Sequence, residues 1–157
     1  MFHIHAEHAL NAPQPVVWDV VNDFGSHYRY NPFVQHSEIT NDIHTGLGAE
    51  RALQLYDGST MRQRIVDYEA GRSMVIDVVE SELLIRHFII ELGVEGQTDD
   101  TCKLIYDISY AAPFGIVGYP VGLLFKPVLI SRVNHVLKGV ERYVVTREAV
   151  TGVSRLR

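Results

Sequence analysis

Between residues 35 and 111 the chain offers little but strand. The segments QHSEIT, GAERALQLY, STMRQRIVDYE, RSMVIDVVES, LLIRHFIIELGVEG and TCKLIYDISYAA are short and rich in β-branched and aromatic residues. Thr45-Gly46, Asp57-Gly58, Ala70-Gly71 and Asp99-Asp100 separate them, and Asp57-Gly58 is the strongest hairpin signal in the sequence. Turns this tight leave no room for crossover helices, so the strands are expected to form an antiparallel meander, not βαβ units. Such a sheet has one apolar face to bury, and the sequence supplies one long cover. From Pro127 to about Glu148, Leu129, Ile130, Val133, Val136, Leu137, Val140 and Val144 recur in steps of three and four. That spacing predicts a helix of about 33 Å. Pro127 fits its first turn, or a kink within a longer helix.

Ahead of the meander, FHIHAEHAL alternates as a strand over residues 2–10, with Phe2, Ile4, Ala6, His8 and Leu10 on one side. PVVWDVVNDF then reads as a short helix with Val16, Val17, Val20 and Val21 inward, stopped at Gly25. SHYRYNPFV follows, polar and aromatic, and its Asn-Pro step disfavours helix. The order of strand, two short helices, six strands and a long helix predicts a two-layer α+β domain over 1–150, with 151–157 as a tail. A curved sheet closing on one helix is expected to leave a cavity, where small molecules bind.

Composition narrows the classes. A net charge of −5 argues against nucleic-acid binding. One cysteine, Cys102, excludes a disulfide framework and fits a reducing cytoplasm. MFHIHAEH has no apolar core of a signal peptide, and YPVGLLFKPVLI is too short and too interrupted for stable membrane insertion.

Several motifs resemble the START/Bet v 1-like (SRPBCC) superfamily, in particular its bacterial polyketide cyclase/dehydrase-like branch. They are Leu10 to Trp18 with Ala12, Pro13 and Val17, then Asp23-Phe24, Tyr30-Asn31-Pro32, Gly48 to Arg51, Asp57-Gly58, Gln63-Arg64-Ile65, and Pro113 to Gly118 ahead of Leu137-Lys138 and Glu141. The resemblance covers nearly the whole chain. Two positions depart from it: Tyr30 stands where tryptophan is usual, and Gln63 where glutamate is usual. The resemblance implies a helix-grip fold, a curved seven-stranded antiparallel sheet around a long C-terminal helix, with a ligand cavity. It implies no single reaction, because fold does not fix function.

Strand parity selects the cavity face: Arg51, Leu53 and Leu55; Met61, Gln63 and Ile65; Met74, Ile76 and Val78; Phe88, Ile90 and Leu92; Leu104, Tyr106, Ile108 and Tyr110. The resemblance adds Phe125, Leu129 and Val133 from the helix. Of these, Leu53, Leu55, Met61, Gln63, Ile76, Phe88, Ile90, Tyr106, Ile108, Phe125, Leu129 and Val133 are the expected ligand contacts, the alternative for each being plain core. Tyr28, Tyr30 and Phe33 are the expected entrance, with the Tyr56–Thr60 hairpin opposite. Arg51 and Arg86 share the inward parity, but a buried arginine demands an anionic partner. Each is therefore expected at a strand end reaching solvent, a carboxylate-bearing ligand being the alternative. His87 and His135 are expected in solvent, and Asp77, Glu91 and Asp107 on the solvated face.

No metal site is expected, since His3 and His5 have no third ligand at predictable spacing, and no cofactor motif occurs. The foremost reading is a binder of a small hydrophobic molecule, lipid-, polyketide- or aromatic-like. An aromatase, cyclase or dehydratase is the second; its candidate catalytic groups are Tyr106, Gln63, His36 and Arg51, although His36 is expected first as a surface strand histidine. A quinone or lipid chaperone acting at a protein or membrane surface is the third, suggested by the apolar linker Phe114–Phe125. That linker is expected to cover the open end of the sheet; homodimerisation through it is the other possibility.

Overall fold

The computed structural model describes residues 1–150; the predicted tail at 151–157 lies outside them. The elements are β1 (Phe2–Leu10), α1 (Gln14–Asn22), a 3-10 segment (Phe24–Arg29), β2 (Val34–Ile39), β3 (Glu50–Leu55), β4 (Thr60–Glu69), β5 (Ser73–Ser81), β6 (Arg86–Gly96), β7 (Cys102–Ala111), a 3-10 turn (Gly115–Gly118) and α2 (Tyr119–Thr146). All strands lie in one antiparallel sheet of order β1-β7-β6-β5-β4-β3-β2. The meander runs from β2 to β7, and β1 closes beside β7. This is the helix-grip arrangement, with α2 as the rod.

The turns sit where the sequence breaks. Gly46, Gly58 and Gly71 take φ of 87°, 88° and 78°, which side chains with a Cβ rarely adopt. At the β3–β4 hairpin, Asp57 Oδ1 accepts the Ser59 backbone N–H at 2.9 Å.

Leu129, Val133, Val136, Leu137 and Val140 of α2 are buried together with Leu104, Ile108 and Tyr110 of β7 and with Val17, Trp18, Val20 and Val21 of α1. Trp18, and not Val16, completes the inner face of α1, its ring 5.9 Å from that of Tyr68. His8 reaches from β1 to hydrogen-bond Glu141 of α2. Two glycines let α2 approach. At Gly139 a Cβ would fall 1.9 Å from the Tyr30 carbonyl oxygen, and at Gly122 a Cβ would fall 2.3 Å from the Phe2 ring. The Tyr110 hydroxyl donates to the Gly122 carbonyl at 2.8 Å.

The long helix begins eight residues before its expected start. Tyr119 to Phe125, expected in the linker, and Lys126 form its first turns, and Pro127 lies inside it, as the alternative of a longer helix has it. Pro127 supplies no N–H to the Leu123 carbonyl, but it is on the exposed side, where water can satisfy that group.

Candidate functional site

Between the sheet and α2 lies a cavity of about 110 Å³. The pleat sends alternate side chains into it: Arg51, Leu53 and Leu55 from β3, Met61 and Gln63 from β4, Ile76 from β5, Phe88 and Ile90 from β6, Tyr106 and Ile108 from β7. Leu129, Val133 and Val136 of α2 form the opposite wall, and His27, Asn31 and Phe33 close one side. Arg132 lies over the Phe33 ring at 4.9 Å, and both line the cavity while partly exposed.

Most expected contacts therefore surround one space. The exception on the helix is Phe125, which packs against the core without reaching the cavity. In the expected entrance only Phe33 lines the space. Tyr28 packs beside Val34, Leu53 and Leu55, and Tyr30 is core, 2% exposed. His36 is removed from the cavity altogether: it points outward on β2, 3.7 Å from Glu38, because parity places Ser37 inward.

Arg51 overturns the expectation of a strand end in solvent. It is the second residue of β3, as a strand end requires, but it is 2% exposed and opposite Gln63 in the β3–β4 register. Its Nε and Nη2 both donate to Gln63 Oε1, at 2.9 and 2.6 Å, and Nη1 donates to the Phe24 carbonyl at 3.1 Å. The guanidinium stands 3.9 Å from the Phe24 ring centroid. Neutral acceptors and a π-face thus replace the anion a buried arginine calls for. Among the described residues no carboxylate pairs with it; Glu50 on the outer face takes Arg62 and Arg64 instead, at 3.3 and 2.7 Å. Arg86, by contrast, is exposed as expected.

The groups around Arg51 are tuned to remain neutral. Burial, and then the neighbouring Tyr30, push the Tyr106 phenol far above its ordinary range, although Arg51 opposes this. Tyr30 is raised by burial too. Burial, then the Arg51 charge, hold His27 well below the usual imidazole value. Its tautomer follows from its neighbours. Asn31 Oδ1 accepts the Phe33 N–H at 3.0 Å, which leaves the amide nitrogen to face His27 Nε2 at 2.8 Å. Nε2 is then the acceptor and Nδ1 carries the proton. Nδ1 is buried with no partner among the described residues.

His27 was absent from the sequence-derived candidates. Its one signal was the i, i+4 spacing to Asn31 in a segment without periodicity. Among the described residues no three histidine, cysteine, aspartate or glutamate side chains cluster as metal ligands. His3 faces Ser109 at 3.0 Å, and His5 is engaged by Asp107 and Glu7.

A seven-stranded antiparallel sheet gripping one long helix defines the helix-grip class of fold. The chain belongs to the polyketide cyclase/dehydrase and lipid transport family, whose model matches residues 1–153. Among solved structures it is similar to XoxI from Bacillus cereus, at 15% identity and TM-score 0.74, covering 94% of this chain and 98% of that one. The protein TTHA0849 from Thermus thermophilus gives 15%, 0.75, 93% and 99% for the same quantities. A Thermobifida fusca protein gives 18%, 0.73, 90% and 95%. At these identities the likeness is one of fold. No curated protein has a matching sequence.

Proposed function

We propose that the protein binds a small hydrophobic molecule with an acceptor oxygen, most suitably a carboxylate, at one end. The observation that carries this is Arg51: a buried cation on the wall of an apolar cavity, with only neutral partners. A carboxylate would supply the missing counter-charge, and the His27 Nδ1–H is a donor without a partner among the described residues, on a residue that closes one side of the cavity. Volume limits the guest. A 150 Å³ apolar cavity holds benzene, so about 110 Å³ admits at most one ring or a short acyl chain. A polyketide-sized molecule would need α2 and the His27–Phe33 segment to part. Buried Cys102 fits a reducing compartment such as the cytoplasm.

Catalysis of the cyclase, aromatase or dehydratase kind is the second reading, favoured by the donors grouped around Arg51, which could polarise a carbonyl. It lacks a base. Tyr106 is held protonated, the free His27 nitrogen is a donor, and Gln63 Oε1 is already taken. Among the described residues no carboxylate lines the cavity.

The test is a set of paired probes, benzoate against benzyl alcohol and hexanoate against hexanol, titrated by calorimetry into the protein and into Arg51→Met. The acids should bind more tightly than the alcohols, and the difference should vanish in the variant. Binding of neither member of either pair would refute the pocket; equal binding would refute the anionic end. Tyr106→Phe should leave benzoate binding within about threefold, as expected of a residue that is not the main counter-charge. Native mass spectrometry of protein purified from its own host would show any co-purifying guest.

A further inference from the structure

The linker expected to cover the open end of the sheet does so only in part. Gly118 and Gly122 are buried and Tyr119 packs on Phe2, but Phe114, Ile116, Val117 and Leu124 are 73%, 93%, 85% and 72% exposed. Leu123 and Val128 continue the same apolar surface along the outer side of α2, as does Pro127. Further on, that side turns polar at Ser131, Asn134 and Lys138. By length and composition residues 115–146 could cross a membrane. The C-terminal half of α2 is committed to the core, however, so only its first turns are available.

The patch is built to protrude. Phe114 holds a left-handed backbone, φ 58°, with its ring in solvent, so the conformation gains no packing within the fold. Pro113 and Gly118 fix the loop, since a Cβ on Gly118 would overlap the Pro113 carbonyl oxygen at 1.4 Å.

Its charge is also distinctive. Residues 108–140 contain none of the chain's 19 carboxylates and three of its 14 basic side chains, Lys126, Arg132 and Lys138. Arg86, exposed and opposite Ala111 in the register, lies next to the start of the patch. The carboxylates at this end of the sheet are Asp57 of the β3–β4 hairpin, held low first by hydrogen bonds from Ser59 and further by Arg132, and Glu80 and Glu82 on the β4–β5 side, engaged by Arg62 and Thr60.

We propose that this end of the molecule docks on an anionic phospholipid bilayer, with Phe114, Ile116, Val117 and Leu124 entering the interface and Arg86 and Lys126 meeting lipid phosphates and carboxylates. Protruding apolar side chains beside basic ones are what peripheral membrane binding requires. A second copy fits less well, because a two-fold contact through residues 108–140 would oppose like cations, and that stretch has no carboxylate to pair them. The register relates the patch to the cavity. Phe2, Leu55, Met61, the exposed Leu84 and Ala111 all lie at the same end of the sheet, and Leu129 follows Leu124 by little more than one turn of α2. Docking would therefore set the cavity beside the bilayer, although it stands whether or not a guest is bound.

The experiment is flotation of the full chain with phosphatidylcholine vesicles, with and without phosphatidylserine, at low and physiological salt. The protein should float with the anionic vesicles, less so as salt rises, and about tenfold less with neutral vesicles. Ile116→Asp combined with Leu124→Asp should abolish flotation, while benzoate binding and the circular dichroism spectrum stay unchanged. Lys126→Glu should reduce the anionic preference several-fold. No flotation of the unaltered protein, or equal flotation of the double variant, overturns the proposal. So does a concentration-dependent dimer that the double variant dissociates, which would make the patch an interface between copies.

Discussion

Arg51 Nη2 lies 2.6 Å from Gln63 Oε1, directly across the β3–β4 ladder and closed off from solvent, so a full positive charge is held in the sheet by an uncharged amide. An amide offers only a partial charge, and the lost hydration of the guanidinium is compensated incompletely. A glutamate at this position would neutralise the arginine internally. The glutamine leaves its charge for something else.

The first prediction concerns stability. If Arg51 serves a guest and not the fold, Arg51→Met combined with Gln63→Leu should be neutral or stabilising by up to about 2 kcal/mol, as when both partners of a buried polar pair are replaced by apolar side chains of similar shape. Thermal unfolding checks it. A loss of more than about 3 kcal/mol, of the size expected when a paired buried charge is broken, would assign Arg51 to the architecture.

A second prediction follows from His27. Its folded pKa lies below the unfolded value near 6.5, so the unfolded chain binds the extra proton first. Stability from this group is complete above that value and declines as pH falls through 6.5 toward the depressed folded value. His5, raised by Asp107 and Glu7, acts in the opposite sense but is exposed to screening water. Glu50, lowered chiefly by Arg64, begins to matter only below its ordinary value of 4.5. Urea midpoints should therefore fall between about pH 7 and 5, and His27→Gln should flatten that decline. A variant with the same slope as the parent would remove His27 as its cause.

The architecture was readable because its determinants are local. Gly46, Gly58 and Gly71 mark turns by their own backbone preference, and alternation in FHIHAEHAL or TCKLIYDISYAA assigns faces without knowledge of the partner strand. What the sequence withheld depends on groups distant along the chain. The parity of Arg51 pointed inward, but its burial rests on Phe24 and Gln63, 27 and 12 residues away. His27 lies on a 3-10 segment with no period to read. The helix start was misplaced because Pro127 looks like a first-turn residue, and only the exposed side on which it falls makes it tolerable within α2.

The third prediction tests how the His27–Phe33 segment is held. Gly139→Ala should raise intrinsic helix propensity by about 1 kcal/mol. The added methyl would nevertheless meet the Tyr30 carbonyl, whose oxygen is 1.9 Å from the Cβ position. Backbone cannot yield as a flexible side chain can, so overpacking should prevail with a net loss of about 1–3 kcal/mol. Denaturant unfolding would measure it. A more stable variant would mean that α2 and Tyr30 are not in fixed contact, and the wall carrying His27 would lose its anchor.

The fourth prediction sets one substitution at two positions on the same helix. Leu129 and Leu137 are both buried, at 6% and 2% exposure, but only Leu129 borders the cavity. An indole at Leu129 can grow into the void, so Leu129→Trp should cost less than about 1 kcal/mol while abolishing binding of the benzoate probe. At Leu137 the same indole meets close-packed neighbours and should cost about 3 kcal/mol or more, at the upper end of overpacking penalties. Phe88→Trp, from the sheet side of the cavity, should resemble Leu129→Trp. Equal penalties at Leu129 and Leu137 would mean that the space beside Leu129 cannot accept added atoms, and a pocket unable to take an indole ring is not one that takes a ring-sized guest.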